Sequence, residues 1–118
     1  GAKHEPKYGH VVLFGLGGIF IEVFQDVVSG LAPIGKKEAK SMFKKLRSYK
    51  LIEGFRKKEG VNEDIWADII LRLSALLKAA PEIAELDLNP LMGRKDSIVT
   101  VDGRIRIDHD IDHFSIVD

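Results

Sequence analysis

Apolar and polar positions alternate from residue 83 to 89, so on a strand Glu85, Asp87 and Asn89 project from one face and Leu86 and Leu88 from the other. Pro90 cannot donate a ladder hydrogen bond and should end that strand; residues 93–96 read as a turn into a second strand over 98–101. Such a hairpin brings Asp102 back beside Asn89. Alternation resumes over 101–107, with Arg104 and Arg106 on one face beside Asp102 and Asp108, placed for cross-strand ion pairs or for phosphate.

The upstream pattern is of a different kind. Residues 11–14 form a short apolar run of strand type, three glycines follow at Gly15, Gly17 and Gly18, and residues 19–25 are rich in β-branched and aromatic side chains. Residues 26–34 continue extended and close at Pro33 and Gly35. Ala39, Met42, Phe43 and Leu46 then fall at i, i+3, i+4 and i+7, the stripe of an amphipathic helix over 36–47 whose other face carries Lys36, Lys37, Lys40, Lys44 and Lys45. Leu51, Ile52 and Phe55 predict a short helical turn. Asn62 is placed as the N-cap of a long helix with Ile65, Trp66, Ile69, Ile70, Leu73, Leu76 and Leu77 on its apolar face, and Pro81 forbids its continuation. Trp66 lies in that stripe and is read as core.

Strands, then helices, then strands argue an α+β fold: a mostly antiparallel sheet of four to five strands with two main helices on one face. The expected organisation is an unstructured lead-in or vector-derived scar over 1–8, one domain over 9–108 and a tail over 109–118. The start at Gly1, without an initiating Met, fits an excised fragment.

Composition narrows the function. At 118 residues with 45% hydrophobic and 31% charged residues, the chain can bury a core without staples. Lys plus Arg balance Asp plus Glu at 18 each, so no global field recruits nucleic acid or an anionic membrane. Cysteine is absent, which excludes disulfides and thiol catalysis and is compatible with a cytoplasmic setting. No apolar run is long enough to span a bilayer.

Against that background, Asp87, Asn89 and Asp102 stand out as two carboxylates and an amide oxygen, hard donors that suit Mg²⁺ completed by water and phosphate. The competing reading is an exposed face of solvated acids. The Gly15, Gly17 and Gly18 cluster is a tight turn or bulge, or a backbone that phosphate approaches closely; it is neither a Walker A loop nor a Rossmann fingerprint. Glu22 shares a strand face with Phe20 and Phe24, so its carboxylate must be paired, functional or an inward edge charge. His109 and His113, four apart in an acidic tail, offer a transition-metal pair or simply a solvated end.

Glu85-Leu86-Asp87-Leu88-Asn89-Pro90-Leu91 with Asp102-Gly103, and Phe14-Gly15-Leu16-Gly17-Gly18-Ile19-Phe20-Ile21-Glu22-Val23 with Asp26-Val27 and Leu31-Ala32-Pro33, resemble the C-terminal half of the ATP-grasp domain of ADP-forming acyl-CoA synthetases, relatives of the succinyl-CoA synthetase β subunit. The resemblance runs over about residues 9–108. It implies an ATP-grasp C-terminal subdomain from an enzyme that makes or consumes an acyl-CoA through an acyl phosphate and a phosphohistidine. In that scheme Asn89 and Asp102 hold the Mg²⁺ that bridges ATP or ADP phosphates, Asp87 is a further ligand or neighbour, Gly15, Gly17 and Gly18 lie near the phosphates, and Glu22 belongs to the glycine motif. The implied partners are the other ATP-grasp half and a CoA-binding domain, with CoA and a carboxylic acid bound elsewhere in the parent. The family segment has arginine where this chain has Gly30, which leaves Lys36 or Lys37 as substitutes, or a divergent, non-catalytic interaction or regulatory domain.

Overall fold

The computed structural model describes residues 1–15, 23, 25–49, 63–93 and 97–110. Its elements, in chain order, are β1 (Ala2–Glu5), β2 (Gly9–Gly15), β3 (Val27–Leu31), α1 (Lys36–Lys45), α2 (Glu63–Ala79), β4 (Ile83–Leu88), β5 (Leu91–Gly93), β6 (Ile98–Thr100) and β7 (Gly103–Ile107). Five strands form an antiparallel sheet in the order β3-β2-β1-β4-β7, and β5 pairs with β6 in a two-stranded extension. The expected α+β architecture is present, with two helices among the described residues.

The expectation for residues 1–8 is overturned. Ala2–Glu5 is the middle strand, pairing Ala2 with Val12 on one side and with Leu86 on the other. Its polar composition misleads because one face of the sheet meets solvent, so Lys3 needs no apolar company while Ala2 is buried. Pro6 and Gly9 mark a turn: Tyr8 donates its N–H to the Glu5 carbonyl at 3.0 Å, and Gly9 takes φ +93°.

The core lies between one face of the sheet and the two helices. Ala2, Val12, Ile83 and Leu86 from the strands meet Ala39, Met42 and Phe43 of α1 and Ala67, Ile70, Leu73 and Leu77 of α2. Burial of these side chains from water is the main stabilising term. Trp66 packs there as expected, its ring 5.5 Å from that of Phe14, which lies 4.7 Å from Phe43. Two buried polar groups are satisfied within the layer: Ser74 Oγ accepts from the Ile34 N–H at 3.1 Å, and His10 Nε2 meets the Ile83 carbonyl at 2.7 Å.

Helix α1 ends at Lys45, two residues before the sequence expectation, because Leu46 leaves helical geometry at ψ 136°. The exit turn is captured by a side chain from another element. Asp26, buried just before β3, accepts the Arg47 N–H at 2.7 Å and the Ser48 N–H at 2.8 Å. The turn expected at Leu51, Ile52 and Phe55 and the Asn62 cap lie outside the described residues. No helix among the described residues is long and apolar enough to cross a membrane.

Candidate functional site

Strand directions decide which residues share an end of the sheet. β2 runs toward Gly15, β1 runs away from Ala2, β4 runs toward Leu88 and β7 runs away from Gly103. Gly15, Asn89 and Asp102 therefore sit at one end. Registers refine the placement: Ala2 is level with both Val12 and Leu86, so Asp87 is level with Leu13, and Asn89 with Gly15. Two strand spacings, about 10 Å, separate β2 from β4.

Past an irregularity between Ile83 and Glu85, the hairpin keeps one register from Glu85 of β4 through β5 and back through β6 to β7. Asp87 faces Arg104, Leu88 faces Gly103, and Leu91 faces Thr100. Between these pairs, Asn89 donates its N–H to the Asp102 carbonyl at 3.1 Å, and Val101 donates to the Pro90 carbonyl at 3.0 Å. Pro90 thus ends β4 as its missing N–H requires, while its carbonyl still joins the ladder. The Asn89-Pro90 peptide bond is cis.

Alternation puts Asp87, Asn89, Asp102 and Arg104 on the sheet face away from the helices, where all four are exposed. Directly opposed Cβ atoms on such a pair lie about 5 Å apart and diagonal ones about 7–8 Å apart. Arg104 Nε is 3.7 Å from Asp102 Oδ2, and one row along Arg106 Nη2 reaches Glu85 Oε1 at 3.3 Å. On its β1 side Asp87 neighbours Gly1.

The expected hairpin therefore brings Asp87, Asn89 and Asp102 to one place, with Gly15 at the same end of the sheet. Gly17, Gly18, Glu22 and His113 lie outside the described residues; His109 lies in the turn after β7. Among the described residues no group of three or more His, Cys, Asp or Glu is placed to hold a metal ion. The candidate set differs in kind, joining two carboxylates to an amide. Its all-oxygen chemistry and exposure fit a hard divalent cation that keeps water and phosphate in its coordination sphere.

Position 30 falls elsewhere. Gly30 pairs with the buried Val12, so its side faces the helices, and a Cβ there would meet Ile34 Cδ1 and Met42 Sδ at 3.0 Å. Lys36 and Lys37 open α1 beyond the far end of β3, away from Gly15 and Asn89, and Lys36 Nζ lies 3.7 Å from Asp64 Oδ1. Neither lysine is placed to serve the hairpin in lieu of an arginine. Asp26 belongs to the motif that carries the family resemblance, but its partners sit 21 and 22 residues on in the chain, so only tertiary structure gives it a role.

The model of the ATP-grasp domain matches residues 1–107. The chain belongs to the ATP-grasp domain family. Within it, the β subunit of ADP-forming acetate–CoA ligase I of Pyrococcus furiosus is 40% identical over 105 residues, which cover 89% of this chain and 45% of the relative. The ADP-forming 4-hydroxybutyrate–CoA ligase of Nitrosopumilus maritimus is 40% identical over 92 residues, covering 78% of this chain and 13% of the relative. Among solved structures, the dinucleotide forming acetyl-coenzyme A synthetase 1 of Ca. Korarchaeum cryptofilum superposes at a TM-score of 0.83 with 40% identity, over 90% of this chain and 50% of that one. Another solved structure of that enzyme holds coenzyme A and Mg-AMPPCP, its phosphohistidine segment pointing towards the nucleotide binding site. This ATP-grasp chain spans half or less of the length of these relatives.

Proposed function

We propose that this chain is the part of an ADP-forming acyl-CoA synthetase that holds a divalent cation and the phosphates of ATP or ADP. The observation that carries the reading is the Asn89 to Asp102 backbone hydrogen bond, which sets Asp87, Asn89 and Asp102 on one exposed face at the sheet end that also carries Gly15. Asn89 and Asp102 would ligate Mg²⁺, with Asp87 as a further ligand or a neighbouring acceptor. A cation so held supplies charge neutralisation for phosphoryl transfer, a reaction whose catalysis is chiefly positioning and electrostatics. Gly15, with Gly17, Gly18 and Glu22 beyond it, would line the phosphates.

The same open face carries the exposed Leu13, Val27 and Leu31 on its β2–β3 side, an apolar area suited to a nucleotide base or to the other half of the ATP-grasp domain. That half, a CoA-binding domain and the phosphohistidine would come from the remainder of a cytoplasmic parent enzyme that also binds CoA and a carboxylic acid. The chain alone is therefore expected to be inactive, and ATP-dependent acyl-CoA formation by the purified 118 residues would refute this.

The direct test is amide NMR during titration with Mn²⁺ and ADP. Broadening centred on Asp87, Asn89, Asp102 and Gly15, lost in Asn89→Ala, is the expected result. Equal broadening in wild type and variant would overturn it. Gly30, walled in by Met42 and Ile34, favours one second reading: a non-catalytic interaction or regulatory domain, for which no Asn89-dependent broadening is expected.

A further inference from the structure

Four side chains share the neck of the hairpin: three carry the oxygen donors described above, and the fourth is a cation. Arg104 stands directly across from Asp87 and has its Nε 3.7 Å from Asp102 Oδ2. Its side chain is 84% exposed. An ion pair so open to water is weak and readily displaced. Its positive charge opposes the approach of a second cation, so the side chain has to move. The next row differs. There Glu85 meets Arg106 at 3.3 Å and lies across from Lys3, a pairing that leaves the candidate ligands untouched.

We infer that Arg104 is an exchangeable counter-ion, paired with Asp102 while no divalent cation is bound and displaced onto the phosphate oxygens when a metal–nucleotide arrives. This rests on the phosphate-site reading and adds to it a named side-chain donor for the nucleoside di- or triphosphate. The guanidinium fork matches phosphate oxygens in a way that an ammonium does not. Opposite effects on two affinities follow. Arg104 competes with the cation taken alone, and it assists the cation that comes with phosphate.

The experiment is titration of the 118-residue chain with Mn²⁺, following free Mn²⁺ by electron paramagnetic resonance, first without and then with ADP. Wild type, Arg104→Gln, Arg104→Lys and Asn89→Ala are compared, with circular dichroism to verify folding. Arg104→Gln is expected to bind Mn²⁺ alone about 3- to 10-fold more tightly, since one positive charge near a divalent site is removed. The same variant should bind Mn²⁺–ADP about 3- to 10-fold more weakly. Arg104→Lys, which keeps the charge, should match wild type for Mn²⁺ alone yet remain weaker for Mn²⁺–ADP. A merely structural arginine would move both affinities the same way, and that result, or no change in either, overturns the inference while leaving the phosphate site standing. Absence of Asn89-dependent binding in the wild type, with and without ADP, overturns the phosphate-site reading and the role of Arg104 with it.

Discussion

Asn89 and Asp102 are joined through their backbones, N–H to carbonyl at 3.1 Å, so their side chains are positioned by the ladder rather than by each other. Both are exposed. Asn89→Ala and Asp102→Ala should then leave unfolding stability within about 0.5 kcal/mol, as for surface changes away from special features. Urea denaturation checks this. A loss above about 2 kcal/mol would show that the side chains hold the hairpin together and would undercut their use as free ligands.

Asp26 supplies the pH dependence. Burial alone would raise its pKa, but hydrogen bonds to the carboxylate and the nearby Arg47 charge outweigh burial and hold the carboxyl below its ordinary 3.8. Among the described residues the buried Ser48 hydroxyl has no partner in hydrogen-bonding geometry, so the donors that matter are the backbone N–H groups of Arg47 and Ser48. With the folded pKa depressed, the stabilisation is complete above the unfolded value and is lost as pH falls through the folded one. Asp26→Asn should cost about 1–3 kcal/mol at neutral pH and flatten the decline in stability below about pH 4. Urea midpoints measured between neutral and strongly acidic pH report both; an unchanged acid slope in the variant would assign the acid sensitivity to other carboxylates.

The hairpin and the helices could be read from the chain because their signals are local. Alternation through Leu86 and Leu88, the break at Pro90 and the stripe from Ile65 to Leu77 each follow from a period within one segment. Strand β1 could not be read this way. Lys3, His4 and Glu5 carry no apolar period, and the segment is a strand because β2 and β4 satisfy its backbone from both sides. Asp26 was hidden for the same reason, its acceptors being matched by donors on a distant turn. Gly30 marks the converse limit: resemblance drew attention to a missing arginine, and only packing reveals that Met42 and Ile34 occupy the space beside it.

Gly9 makes the turn between β1 and β2 at φ +93°, with no atom of the described residues within 4 Å of where a Cβ would be. Backbone strain is the whole cost of substitution there. Gly9→Ala should destabilise by about 1–2 kcal/mol, and Gly9→Asn by less, because asparagine tolerates positive φ better. Thermal unfolding of the two variants checks the ranking, and equal stability of alanine and glycine would mean that the turn rearranges.

At Gly30 the cost is packing. A Cβ would stand 3.0 Å from Met42 Sδ and Ile34 Cδ1, so Gly30→Ala requires those side chains to give by a few tenths of an ångström. Overpacking costs about 1–3 kcal/mol. Replacing glycine in a strand returns about 0.5–1 kcal/mol, leaving a net loss of about 0–2.5 kcal/mol. Gly30→Arg asks far more of the same space, bringing a long cationic side chain toward the helix-facing core, and should cost above about 3 kcal/mol. If Met42 is the obstacle, Met42→Ala will cost less in the Gly30→Arg background than in the wild type, a coupling that a double-mutant cycle in urea measures. Strict additivity would acquit Met42 and imply that an arginine at position 30 escapes the helix-facing side by a local shift of β3.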